Sequence, residues 1–300
     1  MRLLWMPLLL LVFEAGTARA WCRSLSIASG SASCRQRCLR LDDFSPEEQE
    51  ARGIVELGWE RPCLEYAIEA RGARDLPPET VERIVGAAFA RWMEADCDGR
   101  TPNITVRPSA APSECNVPEY VPGGGNANTL MFVDDWTDRG HASAAFALTT
   151  TWFSTRTGEI YDADMELNQE SWTWAECPED GCDDGRVDLG NTVTHEAGHF
   201  LGLAHTPDNP AATMWACAEE GETLKRDLTD DDIAGICALY PPGSSDGACE
   251  FEPRGGFDPA CRADRSTGCG CSTPGHGDDA ASLLLGLLAF GWWRRRFKTS

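Results

Sequence analysis

Eleven consecutive residues constrain this chain more than any other feature. The run His195-Glu196-Ala197-Gly198-His199-Phe200-Leu201-Gly202-Leu203-Ala204-His205 holds three of the five histidines in the sequence. His195 and His199 are four apart, so on a helix their rings project from one face, one turn above the other, where they can share a tetrahedral metal. Glu196 can reach a water held on the same metal. His205 is out of reach of that straight helix face, so the helix must end and the chain fold back. Gly202 supplies the break, because glycine tolerates the left-handed backbone of a helix C-terminus at little cost. Three histidines leave a fourth position to water, the pattern of a catalytic zinc site; structural sites are closed by four protein ligands. A bare H-E-x-x-H on an ordinary amphipathic helix is the competing reading, and the added glycine and third histidine count against it.

Charge and cysteines set the compartment. A formal charge of -22 argues against broad electrostatic attraction to nucleic acid or to an anionic membrane surface. Residues 1–20 read as a secretory signal: Arg2, an apolar run from Leu3 to Phe13, then Ala18-Arg19-Ala20 before Trp21. In an oxidising compartment the 14 cysteines read as disulfides rather than thiolate metal sites. A second apolar run, 280–293, is followed at once by Arg294-Arg295-Arg296-Phe297-Lys298. It is shorter than the roughly 20 residues that span a bilayer comfortably, and the basic cluster would keep the C-terminus cytoplasmic. With Cys269-Gly270-Cys271 just upstream, this package resembles the MYXO-CTERM class of bacterial sorting tails. That resemblance implies a processing protease as partner and retention at the cell envelope; a short membrane anchor is the plainer alternative. Both readings place the body outside the cytoplasm, tethered at its C-terminus.

Between the termini, residues 21–55 carry Cys22, Cys34 and Cys38 and are too short for a domain; they fit a propeptide or a disulfide-tied extension equally. Leu64, Tyr66 and Ile68 alternate with Glu65, Ala67 and Glu69, a half-buried strand. Val81, Ile84, Val85, Ala88, Phe89, Trp92 and Met93 recur at helical spacing over 79–95. Strand signals follow at 104–107, 129–133, 145–153 and 159–167. In the last, Asp162, Asp164 and Glu166 alternate with Ala163, Met165 and Leu167. Such a carboxylate row is a candidate for structural calcium, but a strand spreads alternate residues nearly 7 Å apart, so a solvated face is the favoured reading. The metal-binding helix is expected over about 190–203. A last helix starts at Thr229, with Asp230, Asp231 and Asp232 in its first turn and Pro241-Pro242 after it. Residues 243–279, rich in Gly, Pro, Ser and Asp, read as a disulfide-pinned stalk, and 280–300 as the sorting or anchoring tail.

The run 195–205, the methionine nine residues beyond it (Met214), the closing Leu228-Thr229-Asp230-Asp231-Asp232-Ile233-Ala234-Gly235-Ile236-Cys237-Ala238-Leu239-Tyr240 and the strand Gly158-Glu159-Ile160-Tyr161-Asp162-Ala163-Asp164-Met165-Glu166-Leu167-Asn168 together resemble the matrixin branch of the metzincin zinc proteases. The resemblance covers about 56–242. It implies an α+β fold: a twisted five-stranded mixed sheet with three helices. It also implies one catalytic zinc on His195, His199 and His205, with Glu196 as general base and Met214 as the turn methionine beneath the metal. An extended protein or peptide substrate would lie antiparallel to an edge strand, matched here by about 142–148. The segment 206–222 would wall the pocket for the residue after the scissile bond, and the protein would be a monomer. The latency motif Pro-Arg-Cys-Gly is absent. Arg61-Pro62-Cys63 is only faintly similar to it, and Cys63 is expected in a disulfide. Two other readings stand beside the zinc endopeptidase: a non-catalytic surface binding module that keeps zinc for stability, and a secreted enzyme whose tail is removed without retention.

Overall fold

The structure, a computed structural model, describes residues 21–27, 34–183, 185–243, 249–261, 280–285 and 288–289. The signal segment 1–20, the Cys269-Gly270-Cys271 motif and the basic cluster 294–298 lie outside the described residues. The strands, in chain order, are β1 (Cys22–Arg23), β2 (Cys63–Ile68), β3 (Thr105–Pro108), β4 (Asn128–Val133), β5 (Ala147–Ser154), β6 (Ile160–Asn168), β7 (Thr173–Ala175), β8 (Arg186–Asp188), β9 (Leu203–Ala204), β10 (Cys217–Ala218), β11 (Ala280–Leu285) and β12 (Leu288–Ala289). The α-helices are α1 (Pro46–Arg52), α2 (Pro78–Met93), α3 (Leu189–Phe200) and α4 (Asp230–Leu239).

The main sheet runs β11-β5-β6-β4-β2-β3. Strands β3, β2, β4 and β6 are mutually parallel, and β5 pairs antiparallel with β6. These five are the expected mixed sheet; β11, from the far C-terminus, adds a sixth strand antiparallel to β5. The three expected helices are α2, α3 and α4. Helix α1 is a fourth, in the N-terminal segment, started by a capping box in which Ser45 and Glu48 satisfy each other's backbone N–H groups. The described part of the apolar run 280–293 is extended rather than helical, and among the described residues no helix is long and apolar enough to cross a membrane.

Packing follows the periodicities. On α2, Val81, Ile84, Val85, Ala88, Phe89 and Trp92 form the buried stripe. This stripe meets the sheet and α3, where Trp92 Nε1 donates to the Thr194 carbonyl at 2.8 Å. Strand β6 departs from expectation. Ala163, Met165 and Leu167 face the core, but Asp162, Asp164 and Glu166 are also buried, at 0–1% exposure, so the solvated-face reading is overturned. The loop before β4 and the segment after it cover that second face. Asp164 accepts from the backbone N–H groups of Thr129 and Glu119, and Glu166 pairs with Arg139 and lies 3.3 Å from His141 Nε2. A strand covered on both sides still alternates in sequence when one cover is polar. Asp162 has no hydrogen-bond partner on either oxygen; burial first, then Asp164 and Glu119, push its carboxyl well above the ordinary range.

Six disulfides close the described cysteines: Cys22–Cys38, Cys34–Cys217, Cys63–Cys249, Cys97–Cys237, Cys115–Cys261 and Cys177–Cys182. Cys63 is therefore a disulfide partner, as expected, and not a thiolate facing the histidines. Cys34–Cys217 and the pairing of β1 with β9 tie the segment 21–55 to the body beside the histidines. Residues 249–261 are laid against the domain by two disulfides and by backbone bonds between Asn126 and the pair Gly256 and Asp258.

Candidate metal centre

Helix α3 begins because Asp188 caps it, accepting from Asn191 N at 2.6 Å while its other oxygen accepts from Cys177 N at 2.9 Å. Arg226 forms an ion pair with the same carboxylate. The helix stops at Phe200, three residues earlier than expected, and Gly202 follows at φ +97°, the left-handed turn foreseen for it. Strand β9 then carries the chain back to His205.

This reversal brings the three histidines together, all buried. His205 Nε2 lies 3.2 Å from His195 Nε2 and 3.0 Å from His199 Nε2. Nitrogen ligands about 2.0–2.1 Å from a tetrahedral ion stand roughly 3.3 Å apart, so the spacing fits a zinc-sized cation. The second ring nitrogens set the tautomers. His195 Nδ1 lies 2.6 Å from the Thr213 carbonyl and His199 Nδ1 2.8 Å from the Leu203 carbonyl. A carbonyl only accepts, so each Nδ1 carries the hydrogen and each Nε2 turns a bare lone pair to the centre. Burial pushes the His195 pKa well down, aided by His199 and His205, and lowers His199 to about 4. Neutral imidazoles are the form a metal binds.

Met214 is buried directly under this helix, against Gly198. A Cβ at Gly198 would collide with Met214 Sδ and with the Trp92 ring, so glycine is required in the middle of the helix despite its helical cost of about 1 kcal/mol. The turn that carries Met214 is held by Asp232 of α4. One Asp232 oxygen accepts from Thr213 N at 2.8 Å and from Thr229 N at 2.9 Å, and the other accepts from Met214 N at 3.1 Å. Sequence reasoning saw Asp232 only as a favourable charge in the first helical turn; the spacing Thr229-x-x-Asp232 was the available sign of a reciprocal cap.

Glu196 is fully buried, and its Oε2 accepts a 2.6 Å hydrogen bond from the Thr149 hydroxyl on β5. Nothing in the sequence singles out Thr149 within Thr149-Thr150-Thr151. Only the register of β5 against α3 selects it. Beyond Met214, Thr206 pairs with Trp215, and a cavity of about 860 Å³ opens beside Trp215 and Cys217. The segment 206–222, expected to wall a pocket next to the histidines, borders this cavity, whose lining includes none of the three histidines.

Residues 133–241 match the matrixin family model. The chain is 30% identical over 194 residues to metalloendoproteinase 1-MMP of Arabidopsis thaliana, 30% over 182 residues to human neutrophil collagenase, and 28% over 182 residues to human matrilysin. Each similarity takes in 61% of this chain and, in that order, 44%, 33% and 58% of the relative, so the chain spans less than two thirds of each. Together with the α+β fold, these matches support a matrixin-type metalloprotease domain over the part of the chain that brings the three histidines together.

Proposed function

We propose that this protein is a zinc-dependent endopeptidase, with His195, His199 and His205 as metal ligands, Glu196 as general base and Met214 as the floor of the site. The observation that carries the reading is the convergence of three buried Nε2 atoms, two of them with the lone pair turned inward by a carbonyl on Nδ1, beside a buried carboxylate. When bound, zinc supplies Lewis-acid polarisation of a peptide carbonyl and brings the pKa of a water down toward ~7. The chain's own residues do the rest. Glu196 takes the proton from the attacking water and hands it to the leaving amine. The Thr149 hydroxyl holds Glu196 Oε2 and so fixes the orientation of the carboxylate. Thr213 and Leu203 hold the rings of His195 and His199, and Asp232 fixes the turn that carries both Thr213 and Met214. An edge-strand partner in extended conformation is the substrate form this sheet reads, so the substrate class is extended segments of extracellular proteins or peptides.

The six disulfides support an oxidising, exported location. We read 21–55 as an extension retained by Cys34–Cys217, followed by the protease domain, the 243–279 segment and a C-terminal envelope-sorting tail. Cleavage of casein by the zinc-loaded wild type and by Glu196→Ala, with zinc content measured for both, tests the reading. Equal zinc with a rate lower by about 10²–10⁴ in the variant is expected. Equal zinc with negligible cleavage by both would instead mark a non-catalytic binding module.

A further inference from the structure

Strand β5 would be the open edge of the main sheet, a row of unpaired N–H and C=O groups that invites an added strand. In this protein it is taken. Residues Ala280–Leu285 pair with it antiparallel in unbroken register, from Ala280 opposite Ser154 to Leu285 opposite Thr149. Thr149 is the residue whose hydroxyl holds Glu196, so the added strand runs up to the reactive carboxylate. Leu288–Ala289 pairs parallel with Cys217–Ala218, in the segment that follows Met214. The described tail residues therefore pair both with the edge strand β5 and with β10 in the segment after Met214.

The seating is specific as well as extended. Leu283 is buried against Leu57, Phe153 and Ile160, with Leu285 packed at the margin of the same cluster. Leu283 and Leu285 also border a small crevice with His205. The buried Leu283 and half-buried Leu285 carry no charge, so seating them leaves no ion to be desolvated.

We propose that the C-terminal residues 280–285 and 288–289 cover in cis the sheet edge directly beyond the 142–148 stretch expected to read substrate, at the Thr149–Glu196 contact, and so act as an internal competitor that must leave before substrate binds. The proposal rests on the endopeptidase reading above for what that edge does, and on strand pairing alone for what covers it. A segment on the same chain is present at an effective concentration of order mM. A tail that binds in trans with a dissociation constant of about 100 µM would thus cover the edge about nine-tenths of the time. The same apolar run cannot lie on that edge and in an envelope at once, so anchoring or removing the tail would free the site.

The test compares the full chain, the chain ending at residue 279 and full-length Leu283→Asp. Two readouts are taken: steady-state cleavage of a fluorogenic peptide, and hydrogen exchange of the amides in 149–154 that point away from β6. Both altered proteins should show an apparent KM lower by about tenfold at unchanged kcat, with faster exchange at those amides. A synthetic peptide of residues 280–289 should restore the higher KM to the shortened chain. Equal KM and equal exchange in all three, with cleavage intact, would overturn the proposal and leave the protease reading standing. Faster exchange on shortening without cleavage by any form would sink the protease reading and leave the tail on the sheet edge.

Discussion

Thr149 and Asp162 carry the sharpest residue-level consequences. The Thr149 hydroxyl aims Glu196, and a hydrogen bond to a charged group contributes about 1.5–3 kcal/mol. Thr149→Val should therefore lower kcat by roughly tenfold or more, while Thr149→Ser keeps most of it. A valine variant with wild-type kcat and KM would show that Glu196 needs no such support. Asp162 tests the electrostatics of β6. Its carboxyl is pushed up by burial, so the native state keeps a proton that the unfolded chain gives up near pH ~3.9. The contribution of this group to stability is thus full below that pH and is lost as pH rises through the native value. Asp162→Asn should stabilise the fold at pH 7 by about 1–3 kcal/mol in buffer without added calcium, with the gain vanishing toward pH ~3.5 in thermal melts. A gain that persisted unchanged at low pH would point to packing rather than charge.

At the scale of elements, α3, α4 and the methionine turn form one unit, and Asp232 joins them. Asp232→Ala removes an acceptor from three backbone N–H groups, two of them in the turn under the histidines. The expected loss is about 2–4 kcal/mol, with zinc affinity falling as the Thr213 carbonyl drifts from His195; denaturant unfolding and a zinc titration measure both. Unchanged zinc affinity would separate the turn from the metal site. This is also the scale at which the sequence was most legible. Period-2 and period-3.6 patterns located β2, α2 and α4 to within a residue or two, but β2, expected half-buried, is covered on both faces, with Glu65, Ala67 and Glu69 buried as well as Leu64 and Tyr66. Strand β6 misled because both its faces are buried, one by apolar packing and one by a loop that supplies N–H groups and Arg139. The pattern of β6 is identical for water and for that loop. The clustering of the three histidines was readable because they are close in sequence. Thr149 was not, since its contact with Glu196 depends on how β5 crosses α3.

For the whole molecule, long-range covalent ties do what no local pattern announces. Cys34–Cys217 and Cys63–Cys249 join segments more than 180 residues apart, bringing the N-terminal extension and the segment before the tail onto the domain. An even set of cysteines predicted pairing, and only the tertiary structure supplies the partners. The tail is the larger surprise at this scale: composition reads it as an anchor, yet its described residues complete a sheet next to the site. All of this surrounds a single chemical claim, that three imidazoles bind one zinc and leave it a coordination position for water. Zinc K-edge X-ray absorption on the metal-loaded chain tests that claim directly. One zinc per chain with three imidazole nitrogens and one further light ligand at about 2.0–2.1 Å is expected. A sulfur ligand at about 2.3 Å, or a fourth imidazole closing the shell, would contradict it.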